Sequence, residues 1–159
     1  MLEVDMQIQI HPATHADIVP WIELSEAVAG LFGPMPDFSA TLAPKIDRKQ
    51  ALCARIVDGP PFAGGILLGG SADAFWIRWL AVTPAYRRCG IGRRLIEAAI
   101  ACACPNCVIY VDTFTEETAG GLAARRAYQS CGFAPSEVWE NEGIVRQRFM
   151  KTPAKISVP

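Results

Sequence analysis

The sequence lacks the features of an exported or membrane-embedded chain. Nowhere do 18 apolar residues follow one another, so no segment has the length of a membrane-spanning helix. The first residues, MLEVDMQIQI, carry acids where a secretory signal has a basic region followed by a long apolar run. We therefore expect a cytoplasmic protein that does not associate with membranes.

The sequence also has no excess of positive or negative charge. The chain has 15 Lys and Arg against 16 Asp and Glu, and charged residues make up only 19% of it while hydrophobic residues make up 51%. This composition argues against disorder and against a general nucleic-acid-binding surface. A length of 159 residues suits one domain, which we predict over residues 1–152, with a C-terminal tail at residues 153–159.

Histidine is scarce, and this limits the metal sites that the sequence predicts. Cys102, Cys104 and Cys107 form a C-x-C-x-x-C pattern, but a closed zinc site needs four ligands. Neither His11 nor His15 is near them in sequence, so we predict no metal. In a chain without an export signal, the six cysteines are expected to be reduced thiols.

The spacing of apolar residues predicts strands and helices in alternation. The predicted elements are a strand at 6–11, a helix from Thr14, a helix at 38–49, a hairpin through 52–70, a strand at 73–82, a helix from Gly90, a strand at 107–114, a helix that ends at Gly132, and two closing strands. The strand, helix and strand in the middle of the chain favour a parallel pair of strands, because a crossover joins them.

Four arginines surround a Gly-x-Gly pair in the stretch YRRCGIGRRLI, residues 86–96. This stretch opens a helix, where unpaired N–H groups and the helix dipole favour an anion. Taken alone, the glycines are equally consistent with a tight turn, and the arginines with a solvated face. A dinucleotide-binding fingerprint fits poorly, because Leu95 occupies its third glycine position.

Two motifs carry a resemblance to a known family. Arg87-x-x-Gly90-x-Gly92, after a strand, resembles the [Q/R]-x-x-G-x-[G/A] loop of the GNAT superfamily, the acyl-CoA-dependent N-acyltransferases. ARRAYQSCGF, residues 124–133, is similar to the A-x-x-x-Y-x-x-x-G-F helix ending of the same family. The resemblance implies a single α/β domain with a central, mixed, mostly antiparallel sheet flanked by helices. It also implies that the sheet splays between strands 74–82 and 107–113.

The resemblance further implies an enzyme that transfers an acetyl group from acetyl-CoA to a primary amine by direct attack, with a small-molecule or peptide amine as its partner. The strand end would pair with the pantetheine arm, and the loop would hold the pyrophosphate of coenzyme A. The implied cofactor-binding residues are Leu80, Ala81, Val82, Arg87, Arg88, Cys89, Gly90, Ile91, Gly92 and Arg93. A homodimer is left open, and a non-catalytic acyl-CoA-binding or regulatory module is the alternative function.

The catalytic residue that the resemblance implies is Tyr128, which matches the proton donor to the departing thiolate; a core aromatic is the alternative. Two positions depart from the family. Gly121 stands where many relatives have an asparagine that contacts the pantetheine arm or the sulfur end. Trp76-Ile77-Arg78-Trp79 lacks the glutamate that many relatives use as general base on the central strand. Deprotonation of the amine is then left to water and a backbone carbonyl, or to a carboxylate such as Glu116 or Glu117.

Several other side chains are weaker candidates for a functional role. Glu23, Glu26 and Asp37 lie where this family usually binds its acceptor, and they would attract an ammonium group or simply form a solvated face. Cys89 is a minor alternative as nucleophile, because a helix N-terminus lowers a thiol pKa. The four tryptophans are expected in the core or in a pocket wall: Trp21, Trp76, Trp79 and Trp139.

Overall fold

Alternating apolar and polar residues produce the first strand, β1 (Ile8–Pro12). The structure, a computed structural model, describes residues 7–29, 37–57, 62–71, 73–114 and 119–153. A 3-10 turn at His15–Asp17 follows β1 and leads directly into a helix. Thr14 occupies the N-cap position as predicted, and its backbone N–H donates to the Asp17 carboxylate at 2.8 Å.

The remaining elements follow the predicted order along the chain. They are α1 (Ile18–Ala27), α2 (Phe38–Asp47), β2 (Ala51–Ile56), β3 (Gly64–Gly70), β4 (Ala74–Val82), a 3-10 turn at Pro84–Tyr86, α3 (Ile91–Cys102), β5 (Val108–Phe114), α4 (Ala119–Ser130), β6 (Ala134–Asn141) and β7 (Ile144–Lys151). The tail residues 154–159 lie outside the described residues, and the predicted domain boundary stays a prediction.

Across the described residues, the strands form one seven-stranded sheet in the order β1-β2-β3-β4-β5-β7-β6. β1 and β2, β2 and β3, β5 and β7, and β6 and β7 pair antiparallel, whereas β4 and β5 pair parallel. The parallel register joins Ala74–Ile77 to Val108–Val111. The predicted α/β fold with a mixed, mostly antiparallel sheet is therefore confirmed.

The chain divides into two compact units, of which the first comprises Met1–Leu67 and Trp79–Leu95. Its core contains Trp21, which is fully buried and lies between Phe62 and Trp79, with ring centroids 5.6 and 6.0 Å away. Phe38 from α2 packs on Trp79 at 5.4 Å. The apolar faces of α1 and α2 are therefore buried in this unit, and two of the four tryptophans are core residues as predicted.

The second unit comprises Leu68–Arg78 and Ile96–Pro159. Its core contains Phe149 of β7, which is fully buried and is the register partner of Val111 on β5. Tyr128 from α4 stacks on Phe149 with ring centroids 6.2 Å apart. Within this unit, α4 thus covers the face of the sheet that carries Val111 and Phe149.

Candidate functional site

The loop predicted to bind phosphate lies in the first unit, between the end of β4 and the first turn of α3. Residues 80–82 are the last three of β4, residues 87–90 are exposed, and residues 91–93 open the helix. The fold brings all ten predicted cofactor-binding residues into one continuous strand end, loop and helix start. Their assignment to a cofactor stays a prediction.

Two hydrogen bonds anchor the start of this loop. The Thr83 backbone N–H donates to the Ala63 carbonyl at 2.8 Å, and the Thr83 hydroxyl donates to the Phe62 carbonyl at 3.3 Å. Both acceptors lie just before β3. The backbone therefore leaves β4 at a defined point, and the exposed residues that follow start from a fixed position.

Close packing against Gly64 of β3 sets the position of the same strand end. A Cβ at Gly64 would lie 2.8 Å from the Ala81 carbonyl oxygen and 3.3 Å from the Leu95 side chain. The first distance is too short for a real contact, so a side chain at Gly64 would push β4 away. Sequence reasoning missed this role, although the Gly-Gly pair inside a strand pattern was a signal for close backbone approach.

The backbone of the loop presents N–H groups at the start of α3. Arg94 N–H donates to the Gly90 carbonyl at 3.1 Å, which is the first bond of the helix. The N–H groups of Ile91 and Gly92 precede that bond, at the positive end of the helix dipole. Arg88 and Gly90 both have positive φ angles, of 66° and 77°, so the chain turns sharply just before the helix.

The space beside the two glycines is open. A Cβ at Gly90 would meet nothing within 4 Å, and a Cβ at Gly92 would only touch the Val82 side chain at 3.7 Å. Backbone donors, open space and exposed guanidinium groups are the three things that a phosphate needs from such a loop. The residues present therefore fit the pyrophosphate of coenzyme A.

The four arginines of the loop are exposed, and one of them also contacts β1. All four, Arg87, Arg88, Arg93 and Arg94, are exposed. Arg94 donates from its guanidinium to the Ile8 carbonyl of β1, a contact across 86 positions that sequence spacing does not show. Its charge stays near the helix start, but the side chain also fastens α3 to β1.

Tyr128 lies in the second unit, on the last turn of α4, which ends as predicted. Gly132 has a φ angle of 93°, its N–H donates to the Gln129 carbonyl, and the Phe133 N–H donates to the Tyr128 carbonyl, both at 3.1 Å. This pair of bonds is the Schellman ending that the sequence predicts. Phe133 folds back onto Tyr128, with ring centroids 5.5 Å apart in an edge-on arrangement.

The environment of Tyr128 favours the neutral phenol. The residue is only 3% exposed, and burial, with a smaller contribution from Cys131, raises the pKa of Tyr128 well above its ordinary value. A phenol that stays protonated at neutral pH retains its proton for donation. Its ring contacts with Phe133 and Phe149 make it a core residue, and its role as proton donor stays a prediction.

A polar and aromatic cluster on the opposite face of the second unit was not predicted. Arg148 binds the Asp112 carboxylate through two nitrogens, at 2.8 and 3.1 Å, and it binds Glu137 at 3.0 Å. Its guanidinium lies 4.9 Å from the centre of the Trp76 ring, and Trp76 stacks on Tyr110 at 5.0 Å. The register of β5 and β7, which pairs Asp112 with Arg148, creates this cluster.

This cluster contains Asp112, a carboxylate that could be considered as the general base for the amine. Bonding to Asp112 raises the pKa of Arg148, and the same ion pair keeps the Asp112 carboxylate engaged with a cation. Both oxygens of Asp112 accept hydrogen bonds from Arg148, so we do not assign the base role to Asp112. Glu116 and Glu117, the carboxylates suggested by the sequence, lie outside the described residues, and Glu23, Glu26 and Asp37 are all exposed.

Comparisons with known proteins agree with these features. A family model of the acetyltransferase (GNAT) domain matches residues 49–135, which is more than half of the chain. No curated protein matches the chain. Within the described residues, none of the helices has the length and apolar character needed to cross a membrane.

Three of the similar solved structures illustrate the likeness of fold. A GNAT-family acetyltransferase from Bacillus cereus has a TM-score of 0.76 at 16% identity, covering 94% of this chain and 99% of its own. A putative acetyltransferase from Salmonella typhimurium, solved with its cofactor acetyl-CoA, has a TM-score of 0.75 at 20% identity, covering 96% and 98%. The ribosomal-protein-S18-alanine N-acetyltransferase from Escherichia coli has a TM-score of 0.70 at 18% identity, covering 96% and 97%.

Proposed function

Because this chain belongs to the GNAT acetyltransferase family, we propose that it is a cytoplasmic N-acetyltransferase that uses acetyl-CoA as its cosubstrate and a primary amine as its acceptor. The observation that carries the proposal is the start of α3. There, backbone donors, two glycines and an open space coincide with exposed arginines. Such a loop suits a pyrophosphate and leaves the reactive end of the cosubstrate to other residues.

Residues of the first unit would bind the cosubstrate. The N–H groups of residues 88–93 would hold the pyrophosphate, and the strand end at residues 80–82 would pair with the pantetheine arm. Acetyl-CoA supplies an acetyl group activated as a thioester. The side chains of Arg87 and Arg88, both exposed, would add positive charge beside the phosphates.

The proposed reaction is a direct transfer. The neutral amine attacks the thioester carbonyl, the carbon–sulfur bond breaks as the amide forms, the amine loses a proton, and the leaving thiolate gains one. Tyr128 is the proposed donor of that last proton, because burial keeps its phenol neutral. Since Arg148 holds Asp112, we assign proton removal from the amine to water and a backbone carbonyl, or to Glu116 or Glu117.

The acceptor is proposed to be a small-molecule or peptide amine. Among structures of similar fold, the Escherichia coli enzyme is named for an alanine of a ribosomal protein, which supports the peptide class. On this chain, the exposed acids Glu23 and Glu26 of α1 and Asp37 before α2 offer negative charge to an ammonium group.

A thiol-release assay tests the proposal. The purified protein is incubated with acetyl-CoA and a panel of amines that spans peptides, amino acids, polyamines and aminoglycosides. We expect free thiol to appear at a rate that depends on both the enzyme and one class of amine, with an acetylated product of matching mass. Tight CoA binding without thiol release for any amine would instead identify a non-catalytic acyl-CoA-binding module.

A further inference from the structure

Three metal-ligating side chains meet in the first unit, remote in sequence from the phosphate loop. His11 on β1 and Cys53 on β2 are register partners, so their side chains point to the same face of the sheet. Asp17, at the end of the 3-10 turn before α1, reaches the same point. Asp17 and Cys53 are both fully buried, and His11 is half-buried.

The distances from Cys53 to the other two side chains are close to those in a tetrahedral metal site. The Cys53 Sγ lies 3.6 Å from His11 Nε2 and 3.7 Å from Asp17 Oδ2. In a tetrahedral zinc site, with bonds of about 2.3 Å to sulfur and about 2.0 Å to nitrogen or oxygen, ligand atoms lie about 3.5 Å apart. All three ligand atoms lie within 4.8 Å of one another. Because Nδ1 of His11 also lies 3.7 Å from the Cys53 Sγ and 3.0 Å from the Pro12 carbonyl, the imidazole ring must rotate to point Nε2 at an ion.

We propose that His11, Asp17 and Cys53 form a three-ligand binding site for a divalent metal of the zinc class. An imidazole, a carboxylate and a thiolate are the ligand types that zinc prefers, and the thiolate disfavours magnesium and calcium. Three protein ligands leave one position for water, which the half-buried His11 side makes accessible. The site joins β1, the turn before α1, and β2.

The groups around Asp17 hold its carboxylate in place. The Thr14 backbone N–H donates to Asp17 Oδ2 at 2.8 Å, and the Thr14 hydroxyl lies at 3.4 Å from the same oxygen. Arg55 forms an ion pair with Oδ1. These contacts are typical of the outer partners that orient a ligating carboxylate. The thiolate and the carboxylate bring two negative charges to the metal, and Arg55 stays paired with Oδ1 of the same carboxylate.

Metal binding at this site must displace a proton. In the structure, the Cys53 thiol donates to Asp17 Oδ2 at 3.7 Å, so it carries a proton. Because only the thiolate is a ligand, the ion replaces that proton. Metal binding should therefore release protons into a weakly buffered solution.

Cobalt titration of the metal-free protein tests the proposal. Cys89, Cys102 and Cys104 are exposed thiols, so the titration uses a background in which all three are replaced by serine. We expect one equivalent of Co²⁺ to bind with a thiolate-to-cobalt charge-transfer band and the visible absorption of tetrahedral cobalt. Cys53→Ala should abolish the band, and His11→Ala should weaken binding about tenfold or more.

The second histidine supplies the matched control. His15 is exposed and pairs with Asp47 at 2.7 Å, so His15→Ala should leave cobalt binding unchanged. Circular dichroism checks that each variant is folded, and His11→Ala provides the decisive comparison if Cys53→Ala is not. The proposal is overturned if the background protein shows no charge-transfer band, or if the band survives Cys53→Ala or is unaffected by His11→Ala. The readout is independent of acetyl transfer, so its failure would leave the proposed function untouched.

Discussion

At the scale of single residues, Tyr128 combines packing contacts with the proton donation that we propose for it. Its ring contacts Phe133 and Phe149, and its burial keeps the phenol protonated. The Schellman ending fixes the direction of the last turn of α4 and so the direction of the ring. Packing needs only the ring, whereas proton donation needs the hydroxyl. A mutation that removes the hydroxyl alone therefore separates the two roles.

Tyr128→Phe keeps the ring and removes only the proton donor. We expect kcat to fall about a hundredfold, the usual scale for a positioned general acid, with little change in CoA affinity. The measurement is steady-state kinetics under conditions where chemistry limits turnover. Tyr110→Phe is the matched control, because Tyr110 is the register partner of Met150, on the face of the sheet opposite Phe149. Wild-type kcat in Tyr128→Phe would mean that the residue is merely structural.

At the scale of elements, the join between β4 and α3 depends on glycines with different roles. Gly64 lets β3 approach the Ala81 carbonyl closely, whereas Gly90 has a positive φ angle and open space beside it. The first glycine positions the strand end, and the second shapes the backbone that carries the donors. Of the two, we expect only Gly90 to affect phosphate binding directly.

Gly90→Ala and Gly143→Ala form a matched pair that separates binding from backbone strain. Both glycines have positive φ angles, 77° and 80°, and a Cβ at either would meet nothing within 4 Å. Each variant should lose about 1 kcal/mol of stability to the left-handed backbone. Only Gly90→Ala should also raise the dissociation constant for CoA, by about tenfold, because its Cβ would enter the open space proposed for the phosphate. The phosphate would then lie farther from the backbone donors, whose hydrogen bonds to charged acceptors are worth about 1.5–3 kcal/mol.

Calorimetric titration of CoA and denaturant unfolding measure the two quantities. If both variants lost the same stability and bound CoA as tightly as the parent, Gly90 would be a turn residue like Gly143, and the loop would need another explanation.

At the scale of the whole molecule, the family's fold organises a sheet in which the parallel pair, β4 and β5, is joined by α3. The predicted binding loop opens that crossover helix, and its contacts with β3 and β1 come from Gly64 and Arg94. A ligand held by this loop binds the native chain and not the unfolded one. Its binding must therefore add to the stability of the fold.

Acetyl-CoA should raise the melting temperature of the protein. At a hundred times its dissociation constant, the ligand adds about 2.7 kcal/mol, which corresponds to roughly 5–10 °C for a chain of this size. NADH is the control, since it also carries a pyrophosphate but has no pantetheine arm for the strand end at residues 80–82. Differential scanning fluorimetry makes the comparison, and equal stabilisation by NADH would contradict the assignment.

The sequence by itself determined what depends on local spacing. The period of apolar residues predicted the strands and helices, the crossover predicted the parallel pair, and Gly132 with Phe133 predicted the ending of α4. Each of these features rests on residues within a few positions of one another, where backbone geometry limits the choices. The GNAT family was recognisable for the same reason, because its two motifs are short and continuous.

Only the tertiary structure decided which distant residues meet. The ion pair between Asp112 and Arg148, the bond from Arg94 to Ile8, and the cluster of His11 with Cys53 each join residues at least 36 positions apart. Strand register sets two of these contacts, and a shift of one residue would send the side chains to opposite faces. Register is selected by the burial of whole strand faces, so no local pattern in the sequence reports it.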